Sequence, residues 1–162
     1  MKRSLRRAVI ILAPLVLLYG FLKFYPLPDI RKAAERPFST LILDRKGRVL
    51  QVLPLENGLR REKAAFDEIP EEVRRIILAS EDRRFYLHPG IDAAALLRSL
   101  LTGLRRGSMG SGASTITMQV SRIFSPGRPG LAGKIREMAL ALCLEARYTK
   151  NEILDLYLNS IP

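Results

Sequence analysis

Apolar and polar positions follow three different rhythms along this chain, and each predicts a different kind of element. The first is an unbroken run. Ala8–Leu22 holds fifteen residues without a charge, Lys23 follows, and Phe24–Leu27 is uncharged again. Fifteen falls short of the roughly 20 residues that cross a bilayer. The Lys23 ammonium can snorkel, however, and Phe24 and Tyr25 carry the segment into the interface. Met1–Arg7 places four positive charges in front of the run. We read 8–25 as a transmembrane signal-anchor, uncleaved because no Ala-x-Ala site follows it. The basic tail 1–7 then lies in the cytoplasm and the remainder outside. A buried core helix fits poorly, because Pro14 and Gly20 interrupt the run. Residues 26–37 read as a linker, and 38–162 as the body of the protein.

The second rhythm is that of strands. Thr40–Leu43 and Val49–Leu53 are β-prone and flank Asp44-Arg45-Lys46-Gly47, which predicts a hairpin. A lone hairpin must dock on something else or sit near a membrane.

The third rhythm, from Ala65 onward, is helical. Pro70, Glu71 and Glu72 mark a helix start, and Val73, Ile76 and Ile77 give it one stripe. Asp92 suits an N-cap. Ala93, Leu96, Leu97, Leu100, Leu101 and Leu104 then recur on a single helical face. Thr102–Ala113, rich in Gly and Ser around Arg105 and Arg106, reads as a mobile basic loop. Ser114–Phe124 reads as a short helix and Ser125–Gly130 as a turn. Leu131–Tyr148 is expected to be the longest helix. Its main stripe is Ile135, Met138, Ala139, Leu142, Cys143 and Ala146, with a second stripe of Leu140, Ala141 and Leu144. Thr149 and Glu152 form a capping-box pattern that opens a last helix carrying Ile153, Leu154, Tyr157 and Leu158. The class is mainly α with a small β piece.

Composition narrows the chemistry. The chain has 162 residues, 48% of them apolar, which suits one folded domain rather than a disordered segment. Cys143 is the single cysteine and His88 the single histidine. Intrachain disulfides, structural zinc, iron–sulfur clusters and a histidine-based triad are therefore excluded or disfavoured. The net charge is +11. Five of those positive charges and no acid lie in residues 1–23, so the remainder is only moderately basic. It lacks the Lys/Arg runs with interleaved aromatics of a nucleic-acid surface. Lipid headgroups or diphosphates suit it as partners.

A few positions look chemical. Glu81 and Asp82 stand at the end of the first helix, where the negative end of the dipole disfavours acids. An acid held there beside Phe85 and Tyr86 would be harder to ionise and would suit a general base; a solvated pair balanced by Arg83 and Arg84 is the plainer reading. Glu137 enters an apolar stripe one turn after Lys134, as a polar site or as an ordinary i,i+3 ion pair. Gly110–Gln119 combines small residues with Ser and Thr at a helix start, an arrangement that can hold a phosphate or a sugar. It lacks the Gly-Lys-Ser/Thr of a Walker phosphate-binding loop. His88, before Pro89 and Gly90, reads as a hydrogen-bonded structural residue.

In order, these pieces resemble the peptidoglycan glycosyltransferases, glycosyltransferase family 51, the N-terminal catalytic half of class A penicillin-binding proteins. Glu81-Asp82-Arg83-Arg84-Phe85-Tyr86-Leu87-His88-Pro89-Gly90 looks like the first family motif, E-D-x-x-F-x-x-H-x-G. Gly112–Gln119 looks like the second, G-x-S-T-[IL]-T-Q-Q. Lys134–Glu137 resembles the third, R-K-x-x-E, and Lys150–Asn159 the fourth, K-x-x-I-L-E-x-Y-L-N. Two positions depart from the pattern in a manner shared with one branch of the family: Met118 stands for a glutamine and Gly133 for an arginine.

The resemblance implies a lysozyme-like helical domain that polymerises lipid II at the bacterial inner membrane. The growing lipid-linked glycan is its second substrate, and further cell-wall synthesis proteins are its partners. Glu81 would be the general base on the attacking hydroxyl. Glu137, with Lys134, would sit at the donor diphosphate, where the family uses basic residues or a divalent metal such as magnesium or manganese. Ser114, Thr115, Gln119 and Arg122 would line the donor groove. Asp82, Phe85, Tyr157 and Asn159 would contact or support the substrate, with His88 and Gly90 structural within their motif. The family runs on past the position of Pro162 through a fifth motif, and usually into a transpeptidase domain whose Ser-x-x-Lys does not follow here. A truncated domain is therefore expected. Two other functions compete: a non-catalytic, membrane-anchored fragment that binds lipid II or a partner, and a lytic muramidase that uses an acid on the leaving oxygen.

Overall fold

In a computed structural model the described residues are 13–14, 16–27, 30, 35, 37–106 and 113–161. The basic tail 1–7, the start of the apolar run, most of the 26–37 linker, and Gly110 and Gly112 of the Gly/Ser segment lie outside them.

The expected hairpin forms. β1 (Thr40–Leu43) and β2 (Val49–Leu53) pair antiparallel, in register from Thr40↔Leu53 to Ile42↔Gln51, with a bulge before Leu43↔Val49. Asp44 sets the turn by accepting the backbone N–H groups of Lys46 and Arg48 at 2.8 and 2.9 Å. These bonds, that from Arg48 foremost, hold its carboxyl below the usual range. Gly47 adopts φ 76°, the left-handed conformation that Gly reaches without a side-chain clash. Ile42, Leu43, Val49, Leu50 and Leu53 remain exposed. The hairpin is tied to the helical body through the returning segment: Ser39 N–H donates to the Arg61 carbonyl at 2.7 Å, and the Arg61 guanidinium to the Asn159 carbonyl at 2.8 Å.

Among the described residues five α-helices follow: α1 (Glu71–Glu81), α2 (Ala93–Arg106), α3 (Ile116–Phe124), α4 (Leu131–Glu145) and α5 (Lys150–Leu158), with a 3-10 turn at Phe85–Leu87. Their starts follow the sequence signals. Pro70 precedes α1 with Glu71 and Glu72 in its first turn, and the Asp92 carboxylate accepts the Ala95 N–H at 2.9 Å. The Thr149–Glu152 capping box is complete. α3 is the centre of the core. Ile116, Val120 and Phe124 pack with Phe85, Leu144, Ile153, Leu154 and Tyr157, and each such side chain contributes roughly 1.5–3 kcal/mol of burial. Only Gln119, Arg122 and Ile123 of α3 escape full burial, at i, i+3 and i+4, and they share its one open face.

The structure differs from expectation in several places. Residues 102–106 continue α2 instead of opening a loop; one glycine, Gly103, does not outweigh the helix-forming Leu and Arg around it. The face of α2 is uncovered, with Leu97, Leu100 and Leu101 57%, 48% and 53% exposed. On α1, Val73 and Ile76 are exposed while Ile77 and Leu78 pack on the core. α4 ends at Glu145, three residues early, and its two stripes exchange roles. Leu140, Ala141 and Leu144 are buried together with Cys143, because that side meets α3, while Ile135 is 54% exposed. Residues 13–14 and 16–24 are helical with Val16, Leu17 and Phe21 exposed. Among the described residues no helix is long and apolar enough to cross a membrane.

Candidate active site

The site grows from the end of α1. Asp82 is its C-cap, and its side chain is 3% exposed. A carboxylate buried there needs donors, and it has two. The Ile116 N–H at the start of α3 donates at 3.0 Å, and His88 Nε2 lies 2.9 Å away. The positive end of α3 favours the charge. Asp82 therefore clamps the first motif onto the helix that carries the second. A second clamp lies beside it: the Thr115 hydroxyl donates to the Gly90 carbonyl at 2.6 Å and accepts the Met118 N–H at 3.2 Å, capping α3. Gly90 sits at φ 90°, and a Cβ there would meet Glu145 Cγ at 2.9 Å and the Ala141 carbonyl at 3.0 Å. Only glycine fits.

Glu81, one residue earlier, has the opposite surroundings. The sequence placed it beside Phe85 and Tyr86; instead Phe85 turns into the core at 1% exposure, and Glu81 stands open to solvent. Its Oε2 accepts a bond from Gln119 Nε2 at 2.9 Å, and Gln119 Oε1 accepts the Tyr157 hydroxyl at 3.3 Å. Burial pushes the Tyr157 phenol up, helped by the Glu81 charge and opposed by Arg122. Glu81, Gln119, Tyr157 and Arg122 thus form one group over the open face of α3.

An ion pair adjoins it. The Lys134 ammonium donates to Ser114 Oγ at 2.6 Å and to Glu137 Oε2 at 2.9 Å. Ser114 also lines, with Glu81, Arg84, Arg98 and Thr115, a cavity of about 350 Å³. In the lining of that cavity Arg84 pairs with Asp92, Nε lying 2.9 Å from Oδ2, and this bond holds the Asp92 carboxyl at about 2.

Four sequence candidates are buried or tied to other residues of the chain. Phe85 is in the core, and Asp82 and Thr115 are buried in the clamps. The Asn159 side chain bonds the Ala64 N–H and carbonyl and Asp155, stapling the 61–64 segment. The Glu137 Oε2 is engaged by Lys134, and among the described residues no group of three or more His, Cys, Asp or Glu side chains comes together that could hold a metal by itself.

One cluster escaped the sequence reading. The Lys150 ammonium donates to the His88 carbonyl and to Glu145 Oε1, both at 2.7 Å, and lies 4.3 Å over the Phe85 ring. The Thr117 hydroxyl reaches the same Glu145 oxygen at 2.6 Å. The available signal was Glu145 itself, an acid at a helix C-terminus like Glu81.

A family model described as Transglycosylase matches residues 46–162, and the chain belongs to that family. It is 38% identical over 124 residues to penicillin-binding protein 4 of Bacillus subtilis, covering 76% of this chain and 20% of that protein. It is 45% identical over 104 residues to penicillin-binding protein 1A of Escherichia coli, covering 63% and 12%. The 1C type, which Met118 and Gly133 suggest, is also among the relatives: the E. coli protein is 33% identical over 144 residues, 89% of this chain and 18% of that one. The chain thus spans about a fifth or less of the length of these relatives.

Proposed function

We propose that this chain carries the glycan-polymerising chemistry of peptidoglycan synthesis, with lipid II and the lengthening lipid-linked strand as substrates. The observation that carries the reading is an open carboxylate set beside the Lys134 ammonium. Glu81 has one oxygen fixed by Gln119 and the other free among the described residues, and Ser114 joins its cavity to Lys134. Glu81 takes the proton of the acceptor 4-hydroxyl as that oxygen bonds to the anomeric carbon of the donor. The bond from that carbon to the diphosphate oxygen breaks, its electron pair departs with undecaprenyl diphosphate, and the anomeric configuration inverts. Lys134 and Arg122 meet the charge that develops on the leaving group. Asp82, His88, Thr115 and Gly90 position the groups without touching the sugar. Glu137 orients Lys134; magnesium or manganese carries no step in this reading.

The remaining assignments follow the same reading. Residues 38–162 are the lysozyme-like catalytic part. Residues 8–25 anchor it in the bacterial inner membrane, with tail 1–7 in the cytoplasm and residues 26–37 as the linker to the outer face. The test is polymer formation from labelled lipid II by the detergent-solubilised chain beside Glu81→Gln. Polymer from wild type alone supports the reading. No polymer from a folded wild-type chain favours the non-catalytic fragment, and equal polymer from both removes Glu81 as base.

A further inference from the structure

The turns of α1 ahead of Glu81 line a second cavity, which the reaction proposed above does not use. Glu71, Arg74, Arg75 and Leu78 reach it from positions i, i+3, i+4 and i+7, one side of the helix. Phe66 and Leu78, both packed against the core, supply its apolar lining. Tyr86 of the 3-10 turn and Asn151 of α5 complete it. Its volume of about 300 Å³ suits one small ligand. Some polar groups of this lining are already held within the chain. Arg74 Nη1 donates to the Phe66 carbonyl at 3.2 Å, and the guanidinium lies 4.6 Å from the centre of the Phe66 ring. The Tyr86 hydroxyl donates to Asn151 Oδ1 at 3.2 Å. By contrast, the Glu71 carboxylate, the Arg75 guanidinium and the Asn151 NH2 group have no hydrogen-bond or ion-pair partner among the described residues, and all three residues are exposed. Glu71 and Arg75 stand at i and i+4 with the acid first, the spacing and order that favour an ion pair along a helix. No such pair forms, so the cavity presents an unpaired anion and an unpaired cation at once.

We propose that this cavity binds a small zwitterion, an α-amino acid or a dipeptide with an apolar side chain. Its ammonium meets Glu71, its carboxylate meets Arg75 and the Asn151 NH2 group, and its side chain lies against Phe66, Leu78 and the Tyr86 ring. A guanidinium fork matches the two oxygens of a carboxylate. An apolar body with a few polar anchors is the ordinary make-up of a small-ligand site. A zwitterion leaves neither charge unmet, whereas a simple anion would face Glu71 and a simple cation would face Arg75. A ligand seated there bridges α1, the 3-10 turn and α5, and stabilises the folded chain by mass action. The site stands independently of the reaction at Glu81.

The test is calorimetric titration of the full, detergent-solubilised chain with leucine, N-acetyl-leucine, leucinamide and leucyl-leucine. Leucine should bind and raise the thermal midpoint. N-acetyl-leucine, which lacks the ammonium, and leucinamide, which lacks the carboxylate, should each bind about ten-fold more weakly, the scale of a lost charge-assisted bond. Glu71→Gln should weaken leucine and leucinamide by a similar factor and should not weaken N-acetyl-leucine. Arg75→Gln should weaken leucine and N-acetyl-leucine and should not weaken leucinamide. Both residues are exposed, so each variant should keep the wild-type circular dichroism. Tighter binding of leucyl-leucine than of leucine identifies a peptide as the occupant, and the reverse identifies a free amino acid. The proposal is overturned if neither leucine nor leucyl-leucine binds, or if wild type and both variants bind equally. It is also overturned if the variants weaken all probes without regard to the charge each carries.

Discussion

Glu81 and Asp82 are neighbours in sequence with the same charge, and the fold treats them in opposite ways. Asp82 points inward, its oxygens engaged by a helix-starting amide and an imidazole. Glu81 points outward, with one hydrogen bond from a half-buried glutamine. The same division runs through the whole site. Asp82, Thr115, Gly90, Glu145 and Lys150 make a hydrogen-bonded frame around the His88 ring, and Glu81, Gln119, Arg122 and Lys134 make a rim. A saturated buried group holds shape, because removing it leaves its partners unsatisfied. A rim group is free to meet a substrate. Substitutions in the frame should therefore cost stability, and substitutions in the rim should cost activity.

The sharpest break of the frame is Asp82→Ala. It strands the His88 ring and the Ile116 amide, and a loss of about 3 kcal/mol is expected in denaturant unfolding. Gly90→Ala comes next. Its Cβ meets Glu145 and the Ala141 carbonyl at a positive φ, and about 2 kcal/mol is expected from the same measurement.

Asp92→Asn removes a charged cap and a partner of Arg84, for about 1 kcal/mol. Its effect should depend on pH. Asp92 is lowered from 3.8 to about 2 in the folded chain, so its charge stabilises the fold above pH 3.8. That contribution fades as pH falls toward 2, where the folded form takes up the proton. Wild type should lose stability over that interval more steeply than Asp92→Asn. Leu97→Gln, on the uncovered face of α2, should change stability by less than about 0.5 kcal/mol, a value that thermal unfolding can bound.

Much of this was legible in the sequence where local chemistry decides the outcome. The hairpin turn is set by Asp44 and Gly47, and the starts of α2, α3 and α5 by Asp92, Thr115 and Thr149. The split between Glu81 and Asp82 was not legible, because both sit at one helix end and only the arrival of α3 from far along the chain selects Asp82. The order of the α4 stripes differs from the expected one for a related reason. Periodicity gives the apolar faces but not which of them meets α3. The contacts of Phe85 with the core and of Asn159 with Ala64 depend on distant partners, which motif spacing does not give. Glu145 was overlooked because its partners, Thr117 and Lys150, come from two other helices.

The most direct test of the division between frame and rim pairs two readouts on Glu81→Gln: thermal midpoint and polymerisation of lipid II, on one preparation. The account predicts a wild-type midpoint with polymerisation lowered by roughly 10²–10⁴-fold, the span of a general base. A lowered midpoint, or polymerisation at the wild-type rate, would contradict it.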